Sequence, residues 1–342
     1  MQPSASSRVF AVVVAYLPDT EVLRTLLDAL LAQTAGVLVV DNTPADDRRV
    51  ETLCAALPHD ALRLIRLGEN LGIAHALNVG IDAALAAEAT HVLLSDQDSL
   101  PAPDMVAELL CAQDALIRAG RRVGAVGPTY TDRHTGITFP FQTEVQGKFF
   151  YGHRRPDATH PTIEALTLIT SGTLIPASVL REVGPMREDF FIDHVDIEWS
   201  HRARAAGFSL FGVGAALMFH SMGEHALRVW YFGWRQESAY SPVRVYYRIR
   251  NFVALCRLPS ICWHWKLRNG WYIVGVVYTQ TVFGQQRLAA LRMAARGLRD
   301  GLRGRMGPWQ GRGGGFAAAS RANWLRGSRR LKSASKPIRY SL

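Results

Sequence analysis

The chain has only four cysteines in 342 residues, and none stands in a CxxC pair. That excludes the spacing of a thiolate metal site or redox pair, and it predicts reduced thiols in a cytosolic setting. No GxGxxG or GxxxxGK[ST] loop follows the first apolar segment, so dinucleotide-binding and P-loop readings lack their phosphate cradle. Long apolar runs are missing as well. The late stretch from Trp271 to Phe283 falls well short of the roughly 20 residues that span a bilayer, so no transmembrane helix is expected. Near the start, Arg8 and the run VFAVVVAYLP faintly suggest a signal peptide. The run ends at Pro18-Asp19 without a small-residue cleavage site, and a helical pattern follows at once, so it reads as a buried strand. Net positive charge is confined to one end. Residues 287–342 carry 14 Lys and Arg and one acid, a net +13, whereas the rest of the chain is −3. That body offers no extended basic groove, and no nucleic-acid partner is expected.

What is present is a large apolar share: 48% hydrophobic against 20% charged residues, which excludes disorder and coiled coil. The length is about twice that of a comfortable single α/β domain. Residues 9–15 (VFAVVVA) form a β-branched run suited to a strand buried on both faces. Apolar residues at Val22, Leu23, Leu26, Leu27, Leu30 and Leu31 then predict a helix closed by Gly36. Strands at 37–40, 62–67 and 91–95 alternate with helices at about 47–56 and 72–87. This alternation predicts a parallel, doubly wound sheet with ligands at the carboxyl ends of its strands. A helix over about 103–119 and a strand at 123–126 follow, then a loop-rich excursion over 129–163. Further strands are predicted at 166–170, 208–213 and 216–219, with helices at 177–183 and 195–206.

Several segments carry chemistry. Asp96-Gln97-Asp98 stands directly after the strand HVLLS. Two carboxylates at i and i+2 on a chain end can share a hard cation with a diphosphate, because Mg²⁺ takes one or two carboxylates plus phosphate oxygens and water. The plain alternative is a solvated Asp turn ahead of Pro101. Asp41 closes VLVVD, where a carboxylate can meet a nucleobase or ribose, or simply begin an Asx turn. Asn70-Leu71-Gly72 opens a helix, and Asn70 either caps it or offers amide donors to a phosphate or base. Ser171-Gly172 follows LTLIT, and its small residues permit close approach of another segment or an acceptor sugar. In DFFIDHVDIEW, over 189–199, acids alternate into a helix. Asp196 and Glu198 diverge there, leaving one for the cleft and one for a cap or for Arg202 or Arg204. His220 ends LMFH as a metal ligand or a backbone-bonded core histidine. A hydrolase triad of Ser95 or Ser171 with His220 lacks the GxSxG elbow.

Taken together, VVVAYLP at 12–18, VVDN at 39–42, ENLGIAHALNVGI at 69–81 and LLSDQDS at 93–99 resemble the family 2 glycosyltransferases of GT-A fold. The likeness continues through TSGTLIPASVLREVG at 170–184, FFIDHVDIEWSHRARAAGF at 190–208 and FHSMGE at 219–224. The DQDS form, the FIDxVDIEW segment and YYRIRNFVAL at 246–255 are most similar to bacterial rhamnosyltransferases. The resemblance implies inverting, metal-dependent transfer (Mg²⁺ or Mn²⁺) from a nucleotide sugar, dTDP-L-rhamnose, to a glycan or lipid-linked acceptor in cell-surface polysaccharide synthesis. By motif position it puts Asp41 at the base, Asp96 at the ribose side, Asp98 and His220 on the metal, and Asp196 as catalytic base. Tyr16, Asn70, Gly72, Ser171 and Gly172 fall among its substrate-binding positions. Where many relatives have Glu-Asp this chain has Val195-Asp196, which leaves Asp193 as a competitor for the base.

The expected organisation is a catalytic domain over 1–225, with a nucleotide-sugar half over about 1–128 and an acceptor half over 129–225. A helical, aromatic and basic extension follows over 226–342. Residues 230–283 hold 14 of the chain's 32 aromatics. With Trp263, Trp265, Trp271 and Tyr272 as anchors and the +13 end beside them, the extension is expected to meet an anionic membrane at its cytoplasmic face. Two rival activities fit less well. A nucleotidyltransferase needs a basic, Gly-rich loop where YLPDTEV stands, and a DxD phosphatase carries its acids in the first strand.

Overall fold

The computed structural model describes residues 7–57, 59–132, 138–144, 151–220, 226–230 and 233–310. Strand β1 (Val9–Ala15) is buried at every position. Its alternate residues enter different cores: Val9, Ala11 and Val13 join one, Phe10, Val12 and Val14 the other. A continuous apolar strand is the expected solution when both faces of a sheet are covered. Helix α1 (Thr20–Leu31) starts where Asp19 accepts hydrogen bonds from the Glu21 and Val22 amides, and it buries Leu23, Leu26, Leu27 and Leu30. Each such leucine contributes about 1.5–3 kcal/mol of transfer free energy. Then come β2 (Gly36–Asp41), α2 (Arg49–Ala55), β3 (Leu62–Arg66), α3 (Ile73–Ala86), β4 (His91–Asp96), β5 (Ser99–Pro101) and α4 (Met105–Arg118).

The second half runs β6 (Val123–Asp132), β7 (Phe141–Thr143), β8 (Gly152–Arg154), β9 (Thr162–Ala165), β10 (Leu174–Pro176) and α5 (Ala177–Val183). After a 3-10 turn (Glu188–Phe190) come α6 (Val195–Ala205), β11 (Ser209–His220) and the hairpin β12 (Ala226–Trp230) and β13 (Trp234–Ser238). Three helices end the described chain: α7 (Pro242–Cys256), α8 (Trp263–Val282) and α9 (Arg287–Leu302). The main sheet has the order β3-β2-β1-β4-β10-β6-β11-β5, with β9 on β11. Its β3-β2-β1-β4 portion is parallel, as is the β6–β11 pair. Strand β10 runs antiparallel between β4 and β6.

Three strand expectations are corrected. Leu166–Thr170 is not a strand. Its leucines are buried, but their amides go elsewhere: Leu166 donates to Gln142 O and Leu168 to Ser200 Oγ. The strand beside it is β10, only three residues long and ending in Pro176, too short for a periodic signal. Segments 208–213 and 216–219 form one strand, β11, whose irregularity between Val213 and Leu217 mimicked a break. The excursion over 129–163 contains the end of β6 and all of β7 and β8, with β9 beginning at its last two residues.

Leu255 of α7 and Trp265 of α8 belong to the same core as α3 and α6. Trp265 is 0% exposed, so it is a core residue rather than the interfacial anchor expected; Trp263 (51%), Trp271 (67%) and Tyr272 (42%) are exposed. Among the described residues no helix is long and apolar enough to cross a membrane. The described residues up to Gly307 form one compact unit. The basic end over 311–342 and most of the FHSMGE segment lie outside the described residues.

Candidate active site

The carboxyl ends of β1 and β4 meet at the Asp96-Gln97-Asp98 turn. Gln97 fastens it: its Oε1 accepts from the Tyr16 amide at 2.7 Å and its Nε2 donates to Tyr16 O at 3.3 Å. Ser171 braces it from below, its Oγ accepting the Asp96 amide at 3.0 Å and sharing a 2.6 Å hydrogen bond with Ser99 Oγ. Ser171 is buried, and the Gly172 amide donates to Leu94 O. This pair is therefore placed beneath the turn, with its close neighbours supplied by the fold itself. Asp96 is half-buried and Asp98 exposed. The β5–β11 register sets Ser99 opposite His220, bringing the Asp98 and His220 backbones to one sheet edge; the His220 side chain lies outside the described residues. Among the described residues no three acid, His or Cys side chains converge as a metal cage. Hard oxygen donors on an open turn suit a cation that takes its other ligands from a diphosphate and water.

Asp41 is fully buried. Its Oδ1 accepts from the Thr43 amide at 3.1 Å and from the Thr43 hydroxyl, and its Oδ2 pairs with Arg66 Nε at 3.3 Å. The Asx turn is thus formed, and the carboxylate has no exposed edge for a base. Asn70 does not cap α3, whose N-cap is Gly72. Its Oδ1 accepts from Asn42 Nδ2 and the Gly72 amide, and Asn42 Oδ1 takes the Leu71 amide. Gly72 sits at φ 92°, and a Cβ there would stand 2.7 Å from Phe191 O. The next amide, Ile73, donates to that same oxygen at 2.7 Å. The first donor of α3 therefore holds the segment that leads to Asp196.

That segment is unusual. Phe191 (φ 65°), Asp193 (φ 62°) and His194 (φ 66°) all adopt left-handed backbone without glycine, and each such residue costs on the order of 1–3 kcal/mol. Helix α6 begins directly after it, with Asp196 in its first turn. Burial pushes the Asp196 carboxyl up to about 6, and the negative charges of Asp96 and Asp193 add to the shift, against a hydrogen bond from the Ile197 amide. The Asp196 charge in turn helps burial to raise Tyr130 to about 12. Asp96, Asp196 and Tyr130 thus share one electrostatic neighbourhood. An apolar pocket runs beside Asp196, lined by Leu94, Thr170, Thr173, Met186 and Trp199.

Asp193 has a different environment. Arg244 and Arg248 reach it at 2.8 and 3.3 Å, and despite burial these guanidiniums hold its carboxyl far below the usual range. A carboxylate so held is a poor proton acceptor. Glu198 is tied to Arg202 at 2.9 Å, one turn along α6. The residues that sequence reasoning did not single out are Gln97, Asn42, Tyr130 and the α7 arginines. Their residue types carry no motif by themselves, although Arg248 stood inside the quoted YYRIRN segment and Arg244 two residues before it.

The model of the glycosyltransferase like family 2 matches residues 7–239. The chain is 28% identical over 302 residues to the dTDP-rhamnosyl transferase RfbF of Shigella flexneri, covering 87% of this chain and 97% of that protein. Its structure is similar to a crystal structure of GalNAc-T7 with UDP, GalNAc and Mn²⁺, at TM-score 0.51 and 13% identity over 81% of this chain. It spans 58% of that chain's length, and the likeness is one of fold. The mostly parallel sheet, with helices on both faces and three more helices after it, is accordingly a GT-A architecture. The chain belongs to glycosyltransferase family 2 and is a glycosyltransferase.

Proposed function

We propose that this enzyme transfers L-rhamnose from dTDP-L-rhamnose, with inversion and with Mg²⁺ or Mn²⁺, to a hydroxyl of a glycan or lipid-linked glycan in cell-surface polysaccharide synthesis. The observation that supports it most is the desolvated Asp196 at the start of α6 within electrostatic reach of Asp96, the residue that opens the turn bearing the exposed Asp98. The similarity to a dTDP-rhamnosyl transferase supports the donor. Asp98 and His220 would hold the ion, which supplies positive charge against the departing diphosphate. Asp196 accepts the proton of the acceptor hydroxyl as its oxygen bonds to the anomeric carbon and the bond to phosphate breaks. Tyr16, Asn70 and Asp96 border the donor. Asp41, Gly72, Ser171 and Gly172, engaged within the fold, shape the walls.

A donor panel tests this reading: the protein with Mg²⁺ or Mn²⁺ and each common nucleotide sugar in turn, followed by thermal shift and nucleotide release. The largest shift is expected with dTDP-L-rhamnose and only with metal. A larger shift with a UDP- or GDP-sugar overturns the donor assignment.

We further propose that the enzyme works at the cytoplasmic face of an anionic membrane, its acceptor's lipid anchored there. At about 100° per residue, Trp263, Leu267, Trp271, Val274, Tyr278 and Val282 fall on one stripe of α8, and all are exposed. On α9 the exposed Leu288, Leu291, Leu298 and Leu302 form a second stripe, bordered by Arg292, Arg296, Arg299 and Arg303. An apolar stripe edged by arginine is the pattern of an interfacial helix. The full chain is expected to float with phosphatidylserine vesicles at low salt, and Trp271→Asp with Leu288→Asp to reduce flotation at least several-fold. Equal flotation with neutral vesicles, or no loss in the double variant, sinks the proposal.

A further inference from the structure

The 189–193 segment keeps its left-handed backbone because something else satisfies it, and helix α7 supplies most of the partners. Arg250 and Asn251 are both fully buried. Arg250 Nη2 donates to Phe190 O at 2.9 Å and Asp189 O at 3.2 Å, and its Nη1 reaches Gly307 O. Asn251 Nδ2 shares its two protons among three acceptors within hydrogen-bond distance: Phe190 O at 3.0 Å, Ile192 O at 2.8 Å and Asp193 O at 2.8 Å. Arg250 Nε fixes the Asn251 amide through its Oδ1 at 3.0 Å. Tyr247 lies between the Phe191 ring, stacked at 5.1 Å, and the Arg250 guanidinium at 4.8 Å. Arg244 and Arg248 take the Asp193 side chain. The Ile73 amide holds the one carbonyl in between, that of Phe191.

A buried guanidinium satisfied by carbonyl oxygens and an aromatic face is a costly way to stabilise a fold, since the charge has lost its water. It is an effective way to fix a backbone. The loop it fixes ends three residues before the side chain proposed as the base. We propose that Arg244, Arg248, Arg250 and Asn251 are positioning residues: they impose the left-handed loop and so aim Asp196 at the acceptor hydroxyl. This rests on the reading of Asp196 as the base. Misplacing a reacting group by about 1 Å can cost on the order of 10²-fold in rate, so a loosened clamp is expected to show in turnover before it shows in donor binding.

The test compares Asn251→Ser, Arg250→Met, Arg250→Lys and the milder, surface-accessible Arg244→Gln in the full chain. Each is measured for kcat, acceptor KM, calorimetric dTDP affinity and thermal midpoint, below that midpoint. Expected is a kcat at least ten-fold lower in Asn251→Ser, Arg250→Met and Arg244→Gln, with dTDP affinity within about three-fold of wild type and partial recovery in Arg250→Lys. Placed on Asp196→Asn, Arg244→Gln should add little further loss, because both act on the same group. Should Arg250→Met not fold, Arg244→Gln and Asn251→Ser carry the test. Normal kcat in those two, or full additivity with Asp196→Asn, overturns the clamp and leaves the base reading intact. Normal turnover in Asp196→Asn alone overturns the base reading instead.

Discussion

Asp196→Asn is expected to lower kcat by about 10²–10⁴-fold, the usual worth of general-base help, while dTDP affinity measured by calorimetry stays close to wild type. The amide keeps the size of the side chain and loses only the proton-accepting oxygen. Stability should not fall with activity. Burial raises the folded-state pKa of Asp196 from 3.8 to about 6, so the folded protein binds this proton more tightly than the unfolded chain does. The contribution is therefore greatest below pH 3.8 and lost as pH rises through about 6. At pH 8 the ionised carboxylate is a burden that asparagine does not carry, and Asp196→Asn should melt no lower than wild type. The same shift predicts an acid limb near pH 6 in kcat/KM, with activity falling below it. Burial holds His194 and His201 at about 4, so neither supplies that limb. If Asp193→Asn reproduces the collapse while Asp196→Asn turns over normally, the base lies three residues upstream.

Asp98→Asn is expected to abolish metal-dependent turnover and metal-dependent nucleotide affinity together, with the fold retained. Asp98 is exposed, and the side chains of Gln97 and Ser171 brace the turn that carries it, so those braces stay when its charge is removed. Titration of dTDP against Asp98→Asn with and without Mn²⁺ distinguishes the outcomes. Metal-enhanced binding equal to wild type would remove Asp98 from the ion. His220→Ala, tested the same way, should weaken the metal response to a lesser degree, because diphosphate and carboxylate still provide oxygen ligands.

Much of the sheet was legible because its signals are local. The run VFAVVVA has no polar face to hide, and the leucines of α1 repeat at the helical period, so burial alone decides both. Strand β10 was not legible: three residues ending in proline have no period, and their place between β4 and β6 depends on partners far along the chain. The site divides in the same way. Asp96, Asp98 and Asp196 announce themselves as acids at strand and helix ends. Yet the side chains that set their geometry are Gln97 gripping Tyr16, Ser171 under Asp96, and Arg250 with Asn251 behind the loop. These are long-range contacts between residue types that occur everywhere. Asp41 shows the opposite failure: a carboxylate at the right strand end is wholly used by Thr43 and Arg66.

Helix α9 meets α7 through glycine. A Cβ at Gly297 would stand 2.5 Å from Tyr246 O, and one at Gly301 would stand 2.9 Å from Arg250 O. The two backbones therefore touch with no side chain between them to absorb a displacement. Arg257 ties the far end to Leu302 O, and the Gly307 amide reaches across to Asp189 O at 2.7 Å. Helix α9 is thus a bearing surface for α7, and its tolerance is that of bare main chain. Shortening the protein before Arg287 would strip away the seat on which the arginine-bearing helix rests. Adding even a methyl group along that seam would be transmitted as a rigid shift to residues that hold a loop in a different part of the sequence, some fifty residues upstream of α7.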